Sequence, residues 1–154
     1  MSETLFAGVD HVAIASGDPA RLADWYCEVL GFRCLADNGK ERPTRILAGA
    51  GGGMIEMMPD DQTPPPGREL FDRGISHLAI RVTDLDAALV RVRGSGAEVA
   101  DPAAAAGGGR VASFRDPEGN IVQVVERPGG WGERREADRL RGTPRTATAG
   151  PTAP

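Results

Sequence analysis

The chain holds only two histidines among 154 residues, and each stands fourth in a repeated heptad: His11 in GVDHVAI (8–14) and His77 in GISHLAI (74–80). A glutamate follows each at a similar distance, Glu56 after 45 residues (56 − 11) and Glu126 after 49 (126 − 77). Taken singly, a histidine on a strand usually satisfies a hydrogen bond, and a glutamate near a strand end is usually solvated. Repetition of both at matching depth is what makes them ligand candidates. Two imidazoles and two carboxylates form a borderline-hard N/O donor set. It suits a divalent ion such as Mn, Fe, Co, Ni or Zn, with positions left for water or substrate. No thiolate takes part, which argues against a closed structural zinc site.

Four such residues need a frame that brings them together. The histidine offset (77 − 11 = 66) is shared by Gly8 and Gly74, Ala13 and Ala79, Ile14 and Ile80, and Asp18 and Asp84, so the chain reads as a duplication. In each copy a short apolar, β-branched stretch predicts a strand, Val9–Ala15 and Ile75–Val82. A capped helix follows. Asp18 caps the first, with Pro19 at its opening position, and Leu22, Trp25, Tyr26, Val29 and Leu30 form one apolar stripe that ends at Gly31. Asp84 caps the second, whose stripe is Leu85, Ala88, Leu89 and Val92, ended by Gly94 and Gly96. Three extended segments complete each copy: FRCLAD, TRILAGA and MIEMMP, with GAGGG as the last turn, then AEVAD, RVASFRD and NIVQVVER, with DPEGN as the turn.

The expectation is an α+β chain of two βαβββ modules in tandem, residues 1–60 and 74–128, forming a cleft of mixed β-sheet with flanking helices. A proline-rich linker at 61–73 joins them and either only connects or also edges the cleft. A mostly disordered tail is expected at 129–154, with a short charged helix over 133–141 and Trp131 docked on the body.

Strand alternation sorts the neighbours of the candidate ligands. Glu56 shares a face with Met54 and Met58, and Glu126 with Val122 and Val124, so these four apolar residues would wall a substrate cleft or simply pack. Arg81 shares a face with His77. It either meets an acidic group of a substrate or sits at the rim in a salt bridge. A carboxylate among apolar neighbours is costly unless paired or bound to a cation.

Charge and composition narrow the partners. The net charge is −4 and no basic stripe stands out, which argues against nucleic acid. No apolar run approaches the length of a membrane span. The N-terminus lacks the pattern of a secretory signal, so the expected location is the cytoplasm. Cys27 and Cys34 read as reduced residues in or near the core.

DHVAI, DWYCEVLGFR, GISHLAIRVTDLDAAL and FRDPEGNIVQVVE together resemble the vicinal oxygen chelate superfamily, which includes glyoxalase I, bleomycin-resistance proteins and extradiol dioxygenases. The resemblance spans about Gly8 to Arg127. It implies a glyoxalase-like cleft between paired βαβββ modules and a divalent metal held by His11, Glu56, His77 and Glu126. It also implies a lyase, isomerase or epimerase that acts on a small oxygenated substrate through a metal-stabilised enolate. Glu126 is the first candidate base and Glu56 the second. Arg81, Met54, Met58 and Val124 would contact substrate. An Fe(II)-dependent oxygenase and a non-catalytic drug- or metabolite-binding protein are the alternatives. The modules close on each other within one chain or exchange with a second copy, so a homodimer is expected.

Overall fold

The computed structural model describes residue 5 and residues 8–64 and 67–129. The first module runs β1 (Val12–Ser16), α1 (Pro19–Leu30), β2 (Arg33–Asp37), β3 (Arg45–Ala48) and β4 (Met54–Pro59). The second runs β5 (Leu78–Val82), α2 (Leu85–Gly94), β6 (Ala103–Ala104), β7 (Arg110–Arg115) and β8 (Ile121–Glu126). The expectations for the tail, including Trp131 and the helix over 133–141, lie outside the described residues.

Local chemistry sets the helix ends. The Asp18 carboxylate accepts the Arg21 N–H at 3.1 Å, Pro19 opens α1, and Gly31 closes it at φ 76° while donating to the Tyr26 carbonyl. The Asp84 carboxylate accepts the Ala87 N–H at 3.0 Å, and Arg91 and Arg93 in the last turn of α2 complement its dipole. Ser95, in a right-handed conformation, caps α2, and Gly96 takes the left-handed turn at φ 88°.

Each module folds its strands into one sheet, ordered β1-β4-β3-β2 and β5-β8-β7-β6. In both, the first strand lies parallel beside the last, which makes residues distant in sequence into neighbours: Ala13 beside Glu56, and Ala79 beside Gln123. Two boundaries differ from the sequence reading. The first strands begin at Val12 and Leu78, so both histidines sit just before them. In the segment 97–101, Val99 bridges Phe114 and the Ala100 N–H reaches the Ser113 carbonyl at 2.9 Å, but the strand proper forms only at Ala103–Ala104. Pro102 has no N–H to continue the ladder.

The two modules share a single core. Leu22, Tyr26, Leu47, Ile55 and Met57 of the first pack in one buried cluster with Leu85, Leu89, Phe114, Val122 and Val124 of the second. Helix α1 rests on β3 and β4, α2 rests on β8, and the helices touch each other. Burying one such side chain contributes about 1.5–3 kcal/mol.

A polar clamp reinforces this junction. The Glu118 carboxylate, in the β7–β8 turn, accepts from the Ser16 hydroxyl at 2.7 Å and from the N–H groups of Gly17 and Asp18, both at 3.1 Å. In the same turn the buried Asp116 accepts from the Tyr26 hydroxyl at 3.0 Å. Burial first, and then the Asp116 charge, push the Tyr26 phenol far above its ordinary pKa.

The helix-facing sides of both sheets are thus spent on the core, and the opposite sides lie open. Ala13, Ala15 and Met58 on the first sheet, and Ala79 and Arg81 on the second, are exposed.

Candidate functional site

On the first sheet the open face brings His11 and Glu56 together. His11 Nε2 lies 3.2 Å from Glu56 Oε2, and its other ring nitrogen, Nδ1, lies 2.8 Å from Asp10 Oδ2. Both carboxylates can only accept, so in the absence of a cation each ring nitrogen carries a proton, Nδ1 for Asp10 and Nε2 for Glu56; a cation between Nε2 and Glu56 would displace the second. Asp10 is the main reason the imidazole holds a proton more tightly than usual. Partial burial opposes the rise, and the Glu56 charge adds to it. A carboxylate behind the ring of a histidine is the arrangement that orients a metal-binding imidazole. Met54 and Met58 flank Glu56 on the same face, Met54 half-buried and Met58 exposed.

On the second sheet His77 is oriented in a parallel way. The Ser76 hydroxyl gives its one proton to the Leu70 carbonyl at 2.5 Å, so toward His77 Nδ1, 3.0 Å away, it can only accept. His77 therefore also carries its proton on Nδ1 and presents Nε2 as a bare donor. On the same face stand Ala79, Arg81 and Gln123, and Gln123 Nε2 donates to the Ser113 hydroxyl at 3.1 Å.

Glu126 stands elsewhere, which corrects its assignment as ligand and first candidate base. It is three residues beyond Gln123 on the same strand, an odd step, so it points to the opposite face. There its carboxylate accepts the Leu85 N–H at the start of α2 at 3.0 Å and pairs with Arg110 at 3.1 Å, next to Asp86. It caps a helix and is committed. Val124 is corrected for the same reason: it is 2% exposed in the core against α2, and Val122 is equally enclosed. Neither walls an open cleft.

The residue the sequence reading missed is Gln123. It is third in β8 as Glu56 is third in β4, and its offset from Glu56 (123 − 56 = 67) stays within one residue of the histidine offset of 66. That near-constant spacing was the available signal.

The linker does edge a recess. Arg115 holds it by donating to the Arg68 carbonyl at 3.0 Å and pairing with Glu69 at 3.2 Å. Beside it opens a cavity of about 540 Å³ whose lining includes the carboxylates Glu69 and Glu98 together with Leu70, Ser113, Arg115 and Ile121. Ser113 ties this cavity to Gln123.

A divalent ion fits the donor types but not a single chain. His11 Nε2, Glu56, His77 Nε2 and the Gln123 carbonyl oxygen are all competent ligands. Among the described residues, however, no three His, Cys, Asp or Glu side chains approach closely enough to share an ion. Each open face carries two candidate donors, His11 with Glu56 and His77 with Gln123.

Comparison with known proteins agrees with this frame. Residues 8–124 match the Glyoxalase/Bleomycin resistance protein/Dioxygenase superfamily. The chain belongs to that superfamily. A protein named probable lactoylglutathione lyase in Vibrio parahaemolyticus is 27% identical over 126 residues, covering 75% of this chain and 88% of that protein. A lactoylglutathione lyase of Arabidopsis thaliana is 29% identical over 123 residues, covering 76% of this chain but only 43% of that longer protein. Among solved structures, the antibiotic-binding protein TnmS3 from Streptomyces sp. CB03234 superposes with a TM-score of 0.65 at 26% identity, covering 82% of this chain and all of that one (100%). The chain is thus similar both to proteins named lyases and to a protein named for antibiotic binding. No helix among the described residues is long and apolar enough to cross a membrane.

Proposed function

We propose that the chain is a divalent-metal-dependent lyase or isomerase of small oxygenated molecules, working as a homodimer in the cytoplasm. His11 and Glu56 of one copy join His77 and Gln123 of the other. The observation that carries this reading is the preparation of both imidazoles: each has Nδ1 tied to an acceptor, with Nε2 of His11 set beside the Glu56 carboxylate and Nε2 of His77 turned toward an open face. A protein that only bound an organic ligand would have no need of two imidazoles oriented in this way. The shared core supports the exchange of copies, because it fixes the modules back to back and leaves each half-set without its complement in the same chain.

The cation supplies Lewis-acid stabilisation of negative charge on a substrate oxygen. The remaining work falls to side chains. His11 and His77 are held in register by Asp10 and Ser76. Glu56, which projects from β4 beside His11 Nε2, takes and returns the substrate proton. Met54 and Met58 offer an apolar surface next to it, and the recess beside Ser113 accommodates the rest of the substrate.

With Glu126 committed to α2, the set of two histidines and one glutamate favours a second reading, an Fe(II)-dependent oxygenase, since that triad leaves positions for oxygen and substrate. Metal analysis of protein purified without added metal, followed by solvent deuterium exchange into candidate carbonyl substrates, decides. Exchange next to a carbonyl that depends on Mn, Co, Ni or Zn is the expected result. A strict need for Fe(II) and oxygen would favour the second reading. Tight ligand binding that survives chelation would overturn both.

A further inference from the structure

The two cysteines of the chain lie on the helix side of the first sheet, away from the face that carries Glu56. Both are free thiols. Cys34 pairs across the ladder with Leu47, and Leu47 with Ile55, and residues paired in this way share a face. Leu47 and Ile55 are buried in the core with α1 residues Leu22 and Tyr26, so Cys34 stands on the side of α1, and Glu56, next to Ile55, on the other. Cys27 belongs to α1 itself.

The turn after α1 brings the two together. Gly31 and Phe32 both donate to the Tyr26 carbonyl, Phe32 at 3.3 Å, and this folds the chain back along the end of the helix. Two residues later the Cys34 backbone N–H meets the Cys27 sulfur. The Cys34 thiol is exposed and donates to the Ala36 carbonyl at 3.3 Å. Leu35 between them is the extra residue of a bulge, on a strand at the edge of its sheet. Rotation about the Cα–Cβ bond of Cys34 swings its sulfur from Ala36 toward Cys27 and breaks no ladder bond. Cys27 is half-buried, and burial first, then the nearness of Cys34 and Asp24, keep it a thiol beyond the ordinary range. Cys34 is thus the sulfur that an oxidant in solution reaches first.

We propose that Cys27 and Cys34 form a redox pair, in which a hydroperoxide oxidises the exposed Cys34 and Cys27 then closes a disulfide onto it within the chain. In the first step the Cys34 thiolate attacks the hydroperoxide, the O–O bond breaks, and Cys34 becomes a sulfenic acid while the remaining alkoxide takes a proton and leaves as an alcohol. In the second the Cys27 sulfur attacks the Cys34 sulfur, the S–O bond breaks, and the hydroxyl leaves as water with the Cys27 proton. Two thiols lose two electrons and one hydroperoxide gains them. The pair holds Cys34 at a reversible stage of oxidation, short of the sulfinic acid. This site is separate from the metal reading and does not depend on it.

The test uses the reduced full-length protein in the presence of a chelator, with hydrogen peroxide as the probe. Trypsin cuts after Arg21, Arg33 and Lys40, so it separates the cysteines into peptides 22–33 and 34–40. After thiol blocking, the unreduced digest is expected to hold these two as one linked species, lighter by two hydrogens than their sum, which dithiothreitol separates. In Cys34→Ser, Cys27 is expected to oxidise at least about tenfold more slowly. In Cys27→Ser, dimedone is expected to trap Cys34 sulfenic acid at least about tenfold more than in the native protein, and the untrapped thiol to go on to sulfinic acid. Urea midpoints near the native value show that both variants are folded. The native protein alone can overturn the proposal. It does so if Cys34 reaches sulfinic acid or links to a second chain while Cys27 stays reduced, or if both thiols survive peroxide that oxidises free cysteine. Oxidation of Cys27 at the native rate in Cys34→Ser also overturns it.

Discussion

Glu56 and Gln123 hold the same place in the two sheets: each lies beside the second residue of the first strand, Glu56 beside Ala13 and Gln123 beside Ala79. The duplication therefore delivers two matching positions of unequal charge. The carboxylate is on the first and the carboxamide on the second, and the shared core turns both away from the interior.

If the halves meet between copies, variants should complement. His11→Ala and His77→Ala homodimers each lack one imidazole at both sites and are expected to bind Mn(II) at least about tenfold more weakly. Unfolded and refolded together, they form mixed dimers with one intact site and one doubly defective site. Native-affinity binding should return to about a quarter of the sites if pairing is random. Calorimetry on the mixture checks this, and no recovery at all would place the site within one chain.

Glu126 should prove structural. Glu126→Ala removes the acceptor for the Leu85 N–H and a partner of Arg110, and is expected to cost about 1–2 kcal/mol of stability. Mn(II) affinity should stay within about twofold of native, whereas Glu56→Gln should lower it by about tenfold or more with little loss of stability. Urea unfolding and calorimetry on the two variants read these opposite outcomes.

Tyr26 is the only tyrosine of the chain, which makes its ionisation directly visible. Its phenol is held neutral in the fold by burial and by Asp116, so its folded pKa is raised above the unfolded value of about 10. A raised pKa contributes stability that is fully present below the unfolded value and is lost as pH climbs above it. Phenolate absorbance should therefore rise only together with unfolding, and urea midpoints should fall above about pH 10. Tyr26→Phe should lose about 1–2 kcal/mol at neutral pH and be free of this alkaline decline. Phenolate absorbance rising at pH 10 in protein that is still folded would contradict the assignment.

The fold was legible where single residues fix the backbone. Asp18 with Pro19, Gly31 and Asp84 act within a few residues of themselves, and they set both helices as expected. The donors were legible in part. His11 and Glu56 meet as expected, but Glu126 was placed by total spacing, and spacing does not decide which face of a strand a residue takes. That depends on where the strand begins. The DPEGN turn starts β8 at Ile121, which gives the open face to Gln123 and the helix side to Glu126 and Val124. The back-to-back packing of the modules was illegible for a different reason: it arises from the fit of Trp25, Tyr26 and Phe114 across the junction, a matter of side-chain shape that periodicity does not encode.

The Glu118 clamp also bears on the covalent link between the halves. Three donors around the start of α1 grip a turn that lies 100 residues away from Asp18 in sequence, and the apolar contacts behind them are continuous. The peptide between the modules then acts mainly by raising the local concentration of one half around the other. Fragments cut at the prolines should remain a non-covalent pair that elutes with the mass of the uncut protein, and separation of the two on a sizing column would refute this. Such a pair would reconstitute, from two polypeptides, the state from which a duplicated gene first fused.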